Sequence, residues 1–113
     1  MASPVYSANI SANLQALIER CAVVCDMNPG LLKHKVGVAL AVARRAGTLH
    51  ALDAIDHFYL NYEMIVVGST YWNMGYGQLQ GDIEKDKEAY QTMMDLSDNM
   101  AFVLNGLHHG QTK

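Results

Sequence analysis

The chain has 113 residues, a formal net charge of −3, 50% hydrophobic residues and 17% charged residues. This length supports a single domain with one modest core, and the composition excludes a disordered tail as the main content. No cluster of Lys and Arg is present, which argues against a nucleic-acid partner. No apolar run reaches the roughly 18 residues of a membrane span, and the amino terminus lacks the pattern of a signal peptide. We therefore expect no membrane association and a cytoplasmic location.

Apolar spacing and turn residues predict an α/β order along the chain. Ser3-Pro4-Val5-Tyr6 is typical of the end of a strand, and the chain starts as if something should precede it. The run from Lys35 to Val42 is apolar enough to be a strand buried on both faces of a parallel sheet. The predicted elements after the strand end, in the order α-β-α-β-α, are a helix at 11–27, a strand at 35–42, a helix at 48–61, a strand at 64–67, a loop at 69–85 and a helix at 86–105.

Local signals fix the ends of the predicted helices. Asn28-Pro29-Gly30 ends the first helix. Asp86 is a suitable N-cap for the last helix, and Gly106 stands where a glycine often ends one. The sequence therefore predicts a last helix of about twenty residues, followed by a frayed tail that includes His108 and His109.

Several segments together resemble one family. Ser3-Pro4-Val5-Tyr6-Ser7-Ala8-Asn9-Ile10-Ser11-Ala12-Asn13-Leu14 is similar to the flavin-ring loop of the flavodoxin-like NAD(P)H-dependent FMN reductases, and more narrowly of their iron-sulfur flavoprotein branch. The resemblance continues through Lys35-Val36-Gly37-Val38-Ala39, Ala43-Arg44-Arg45-Ala46-Gly47, Met64-Ile65-Val66-Val67-Gly68 and Gly81-Asp82-Ile83-Glu84-Lys85-Asp86.

The resemblance implies a single partial flavodoxin-like domain over 1–113, corresponding to the carboxyl-terminal half of the family's fold. On this interpretation the parallel sheet with flanking helices lacks the first strands, the phosphate-binding loop and any cluster-binding cysteines. FMN would then be held weakly, or lost, because backbone donors at a helix N-terminus normally bind its phosphate.

The resemblance also implies which residues contact the flavin ring, mostly through backbone groups. Arg44 and Arg45 would stabilise negative charge on the reduced ring. Without the resemblance, the first loop would be interpreted as an ordinary turn with a packed aromatic, and the two arginines as a solvated pair. The candidate cofactor-binding residues are Pro4, Val5, Tyr6, Ser7, Ala8, Asn9, Ile10, Arg44, Arg45 and Gly47. No catalytic residue and no metal ligand is assigned.

The function implied is that of an FMN-dependent NAD(P)H oxidoreductase, either a flavin reductase or an electron-transfer flavoprotein, with only the ring half of the site. NAD(P)H is then a possible substrate. The alternative belongs to another class: a non-catalytic truncated remnant that acts as an oligomerising or interaction module. The presence of bound flavin in the purified protein distinguishes the two hypotheses.

We also expect the chain to self-associate. The only segment left to pair with one edge of the strand at 35–42 is the short stretch at 2–6, and an open apolar edge is a template for association. The loop at 69–85 carries Tyr71, Trp72 and Tyr76, aromatic residues that suit either a flavin cover or a subunit contact. A homo-oligomer is therefore predicted.

Other patterns favour structural roles. Cys21 and Cys25 lie four residues apart among apolar neighbours, which predicts buried helix-face thiols without a redox role. His50, Asp53 and His57 can share a helix face, but a surface pair explains Asp53 and His57 more simply than a metal site. The glycines from Gly75 to Gly81 imitate a dinucleotide-binding motif with the wrong spacing.

Overall fold

A computed structural model describes residues 1–110, except for the side chain of His109. Its helices and strands alternate along the chain, and a short 3-10 helix, Ile83–Lys85, precedes the last helix. The elements are β1 (Ala2–Pro4), α1 (Ala12–Asp26), β2 (Val36–Gly37), β3 (Leu40–Ala43), α2 (Thr48–Asn61), β4 (Ile65–Val66), β5 (Met74–Tyr76) and α3 (Lys87–Gly110).

The segment at 36–43 supplies the central strand of a three-stranded parallel sheet and one strand of a two-stranded parallel sheet. Its second half, β3, pairs with β1 on one side and with β5 on the other, while its first half, β2, pairs with β4. Leu40 N donates to Met1 O at 3.0 Å, whereas Ala41 N donates to Asn73 O at 3.0 Å. Successive residues of the strand thus hydrogen-bond to opposite neighbours, as in any parallel ladder.

The open edge predicted along the strand at 35–42 is closed over only part of its length, because within the described residues Val36 and Gly37 of β2 pair with β4 alone. The short β1 covers that edge in register, with Ala2 opposite Leu40 and Pro4 opposite Val42. The pairing continues past β1, because Val5 N donates to Val42 O at 2.8 Å. The outer edge of the sheet on this side is therefore β1, which is only three residues long.

Helices cover both faces of the sheet, which confirms the predicted α/β class with flanking helices. On one face, Ala39 and Ala41 belong to the main core together with Leu52 and Ile55 of α2. On the other face, Val38 packs in a second cluster beneath α3. Alternation of side chains along the central strand places its residues in both cores.

The helix ends follow the predicted caps only in part. Leu14 N donates to Ser11 Oγ at 3.3 Å at the start of α1. Ala89 N donates to Asp86 Oδ1 at 3.0 Å, which confirms Asp86 as the N-cap of α3. Gly106 does not end α3, which continues to Gly110 and includes the backbone of the two histidines predicted to fray. Glycine in a helix interior costs only about 1 kcal/mol, and the surrounding residues sustain the helix.

The predicted loop at 69–85 is wrong for its central part. Met74, Gly75 and Tyr76 form β5, so two strands, β4 and β5, lie between α2 and α3 where the sequence predicted one. Strand β5 has only three residues, one of them a glycine, which is too short for the hydrophobic alternation of a strand to be recognised in the sequence. The strand forms because it pairs with β3. Tyr76 N also donates to Asp86 Oδ2 at 3.0 Å, which ties β5 to the start of α3. Within residues 1–110, no helix has the length and apolar character needed to cross a bilayer.

Candidate functional site

The carboxyl ends of β1, β3 and β5 meet at one edge of the sheet. The strands are parallel, so the segments that follow them lie side by side. Gly77 N donates to Ala43 O at 3.0 Å, which brings the end of β5 beside the end of β3. In open α/β sheets, ligands bind outside this carboxyl edge. The predicted ring loops after Pro4 and after Ala43 are both located here.

The first loop is a tight two-residue turn. Tyr6 and Asn9 exchange both backbone hydrogen bonds, at 2.9 and 3.0 Å. Ser7 and Ala8 between them have φ values of 49° and 61°. Two central residues with positive φ define a type I′ turn, which normally uses Asn-Gly. Non-glycine residues in this conformation cost on the order of 1 kcal/mol or more each, and such strain clusters at functional sites.

The turn presents free backbone donors at the carboxyl edge. The N–H groups of Ser7 and Ala8 have no acceptor among the described residues, and both residues are exposed. Asn9 Oδ1 accepts from Ile10 N at 2.8 Å, which fixes the chain as it leaves the turn. The side chain of Ile10 is 6% exposed and belongs to the main core. Any contact between Ile10 and a ligand must therefore involve its backbone.

The second loop packs directly against the first at Gly47. A Cβ at this position would lie 2.8 Å from the Cα of Ala8 and 3.0 Å from Cγ1 of Val5. Gly47 also has a φ of 91°, which L side chains rarely adopt. Only glycine satisfies both conditions. The structure thus brings the two predicted loops into contact.

The edge carries charges of both signs, because Arg44 and Arg45 follow β3 whereas the Asp86 carboxylate accepts from Tyr76 N at the end of β5. Both arginine side chains are exposed, and neither forms an ion pair within the described part of the chain. No side chain caps α2 at Gly47, so the first amides of α2 face the edge with the positive end of the helix dipole. The part of the edge around Gly47 therefore favours an electron-rich or anionic group.

A recess of about 390 Å³ adjoins the second loop. Arg45, Gly47 and His50 line one side of it, and Trp72 and Tyr76 line the other. The ring of Trp72 meets that of Tyr71 edge-on, with 4.8 Å between centroids. The three aromatic residues of the loop predicted at 69–85 are therefore at the edge of the candidate site.

Sequence reasoning missed the group that supports this recess. Thr48, which is 3% exposed, lies with its Oγ1 3.3 Å from Sδ of Met74. The hydroxyl of Tyr76 lies 3.2 Å from the same sulfur. Thr48 begins a helix and Met74 lies on a strand predicted as loop, so no sequence pattern connects them.

The cysteines lie away from this edge. Cys25 is buried and Cys21 half-buried in α1, which confirms their predicted burial. Burial raises the pKa of the Cys25 thiol, and nearby Cys21 and Asp26 raise it further. Among the described residues, no three His, Cys, Asp or Glu side chains form a group that could hold a metal ion.

Comparison with known proteins assigns the family. Residues 1–78 match the family described as NADPH-dependent FMN reductase, which includes both loops and all five strands. The chain therefore belongs to the NADPH-dependent FMN reductase family. The family match covers the candidate site and ends just after β5.

The curated relatives are iron-sulfur flavoproteins. One from Methanocaldococcus jannaschii is 32% identical over 102 residues, which cover 80% of this chain and 50% of the relative. One from Methanosarcina thermophila is 31% identical over 116 residues, which cover 100% of this chain and 59% of the relative. The chain thus spans about half the length of the curated relatives it matches.

A solved structure independently supports the fold. The flavodoxin, WrbA-like protein from Agrobacterium tumefaciens superposes with a TM-score of 0.63 at 13% identity. The match covers 87% of this chain and 64% of that chain. The fold is therefore flavodoxin-like, which confirms the resemblance stated from sequence.

Proposed function

We propose that this chain contacts the isoalloxazine ring of FMN and acts as an NAD(P)H-dependent oxidoreductase, either a flavin reductase or an electron-transfer flavoprotein. The observation that carries the proposal is the contact between the two ring loops at Ala8 and Gly47. Family membership supports the cofactor, and the position at the carboxyl edge of the sheet suits a bound ring.

The residues present fit a flat, polar-edged ring. The free amides of Ser7 and Ala8 offer donors without side-chain bulk in the way. The uncapped end of α2 adds a partial positive charge on the same edge. When bound, the flavin supplies the transfer of electrons from NAD(P)H to an acceptor. The turn at Ser7 and Ala8 thus positions the flavin ring, and Gly47 allows the two ring loops to pack against each other.

The charged and aromatic residues of the edge have distinct roles in this proposal. Arg44 and Arg45 place two unpaired positive charges where a reduced ring carries negative charge. Trp72 and Tyr76 border the recess beside Arg45, which has room for a planar molecule in addition to the flavin ring. Aromatic walls favour such a molecule through offset or edge-on ring contacts.

Substitution at Gly47 tests the proposal. In Gly47→Ala, the new Cβ collides with Ala8, and the φ of 91° becomes strained. We expect flavin affinity to fall at least tenfold, measured by quenching of flavin fluorescence, with α-helical circular dichroism retained. Gly106→Ala is the matched control, since nothing lies within 4 Å of its Cβ. The rate of NAD(P)H oxidation in the presence of FMN should likewise be lower in Gly47→Ala than in Gly106→Ala.

Equal flavin affinity in the wild type and in Gly47→Ala would contradict the assignment of the ring loops. Absence of any saturable flavin binding would instead favour the other class of function, a non-catalytic oligomerising or interaction module. One flavin titration therefore distinguishes a wrong assignment of the ring loops from a protein that binds no flavin.

We also propose that the chain forms homo-oligomers, on grounds other than the predicted open strand. The carboxyl-terminal part of α1 and the following turn expose a run of large apolar side chains beside an apolar groove of about 400 Å³. Val24, Met27 and Leu31 are 53%, 77% and 49% exposed. Sedimentation at micromolar concentration should show a dimer or larger species, and a stable monomer would contradict this.

A further inference from the structure

Met74 carries a thioether that two hydroxyl groups contact. Its Sδ lies 3.3 Å from Oγ1 of Thr48 and 3.2 Å from the hydroxyl oxygen of Tyr76. The two hydroxyl oxygens lie 3.4 Å from each other, so both are on the same side of the sulfur. Among the described residues, neither hydroxyl has a hydrogen-bond partner outside this group of three.

The two hydroxyl groups have only weak partners. Thr48 is 3% exposed, so its hydroxyl cannot turn to bulk water. A thioether sulfur is a weak acceptor, whereas buried polar groups in proteins normally have full hydrogen bonds. An oxygen atom bonded to the sulfur would give both hydroxyls a strong acceptor. The surroundings of Met74 therefore suit methionine sulfoxide better than methionine.

The sulfur of Met74 lies at the wall of the recess beside Gly47. Met74 is half-buried, and it lines the recess together with Thr48 and Tyr76, the two residues that its sulfur contacts. Hydrogen peroxide is little larger than water, so it fits a recess of about 390 Å³. Tyr76 is 39% exposed, which allows its ring to shift and admit an oxygen on the sulfur.

We propose that Met74 is a site of oxidation by hydrogen peroxide, and that the hydroxyls of Thr48 and Tyr76 direct the reaction. A lone pair of Sδ attacks one peroxide oxygen, so that an S–O bond forms while the O–O bond breaks. The attacked oxygen passes its proton to the leaving oxygen, which departs as water. The sulfur loses two electrons and the peroxide gains them. The Tyr76 hydroxyl donates to the leaving oxygen during this step, and both hydroxyls donate to the sulfoxide oxygen afterwards.

Oxidation of Met74 would change the wall of the candidate site. A sulfoxide is polar and chiral, whereas the thioether is apolar and flexible. Flavins carry out chemistry with oxygen, so a flavin bound to the two ring loops would be a source of peroxide beside the recess. This role in regulating the site rests on the proposed function, but the reaction with added hydrogen peroxide does not.

The test compares methionines within one protein. The flavin-free chain is treated with hydrogen peroxide, and tandem mass spectrometry follows the sulfoxide at each methionine. Met64 is the reference, because it is also half-buried and packs against the same core as Met74. Among the described residues, no hydroxyl donates to the sulfur of Met64. We expect Met74 to oxidise at least tenfold faster than Met64, and a ratio below about three would overturn the proposal.

Tyr76→Phe tests the directing role, because it removes one hydroxyl and keeps the ring. We expect Met74 to oxidise at least threefold more slowly in this variant, with the rate at Met64 unchanged. Tyr90→Phe, at a side chain of α3 that is 68% exposed, is the matched control and should change neither rate. The same rate at Met74 in Tyr76→Phe and in the wild type would overturn the proposal. A faster rate at Met64 would mark a disturbed fold, and Thr48→Val then decides by the same criterion.

The stereochemistry of the product is a second readout. Both hydroxyls lie on one side of the sulfur, so we expect Met74 to form mainly one sulfoxide epimer. Of the two stereospecific methionine sulfoxide reductases, only one should then restore Met74 in the digested protein. Met27, which is 77% exposed, should give both epimers. An equal mixture of epimers at Met74 would overturn the proposal. No flavin takes part in these measurements, so their failure leaves the proposed function untouched.

Discussion

The strained turn at Ser7 and Ala8 is the residue-scale feature on which the proposed flavin contact depends most. Sequence reasoning located the loop and the small size of its residues, but not their left-handed conformation. Ser and Ala have no preference for positive φ, so the conformation arises from the surrounding contacts, including the close approach of Gly47. The position of the two loops at the carboxyl edge was therefore predictable, whereas their geometry depended on the meeting of two segments that are distant in sequence.

Tyr59 provides a prediction about pH at the scale of one residue. Its hydroxyl donates to Val38 O at 3.0 Å, and burial raises the pKa of Tyr59 to about 12. The nearby charge of Asp56 adds to the rise. In the unfolded chain, Tyr59 ionises near its ordinary pKa of 10.0. The raised folded pKa therefore contributes stability that is fully present below pH 10.0 and is lost as the pH rises toward about 12.

Tyr59→Phe should lower the free energy of unfolding by about 1–2 kcal/mol at pH 7, because a buried hydrogen bond is lost. It should also reduce the fall in stability between pH 10 and 12, since one ionising group has been removed. Urea unfolding monitored by circular dichroism measures both effects. Tyr90→Phe, at a side chain that is 68% exposed, is the control. A pH dependence identical in Tyr59→Phe and the wild type would contradict this account.

At the scale of elements, long periodic segments were predictable and short paired ones were not. Helix α2 was predicted at 48–61 and is found at Thr48–Asn61. Strand β5 was missed because its existence depends on β3, which provides the pairing. Leu17 of α1 and Leu49 of α2 are apolar residues of predicted helices, yet they are 52% and 44% exposed. Spacing predicts that a helix has an apolar face, but tertiary contacts decide how far that face is covered.

Gly75 in β5 allows the 3-10 helix to lie against the sheet. A Cβ at this position would lie 2.4 Å from Cδ1 of Ile83 and 3.2 Å from Cβ of Ala89. We expect Gly75→Ala to lower the free energy of unfolding by about 1 kcal/mol, because Ile83, which is 40% exposed, can turn its Cδ1 away, whereas the Cβ of Ala89 is fixed on α3. Gly68→Ala is the control, because nothing lies within 4 Å of its Cβ. Equal urea midpoints for the two variants would contradict the close packing of β5.

At the scale of the whole molecule, three short parallel strands place two loops and an aromatic recess at one edge. The flavodoxin-like fold was recognisable from the sequence because Ser3–Leu14 and the later segments carry the family's pattern. The pairing of β1 with β3 was recognisable only in part, since the sequence left the stretch at 2–6 as the candidate partner but did not give its register. Short strands of this kind are defined by their neighbours rather than by their own residues.

We propose that the loops at 4–10 and 44–47 contact the flavin ring and not its phosphate. The resemblance implies that the phosphate loop belongs to the family's amino-terminal part, whereas these two loops are similar to its ring-binding loops. The most direct test is to titrate the 113-residue chain with FMN and with riboflavin by flavin fluorescence. We predict weak binding of both flavins, with affinities within about tenfold of each other. A preference for FMN of about a hundredfold or more, roughly 2.8 kcal/mol, would show a phosphate site and contradict the claim.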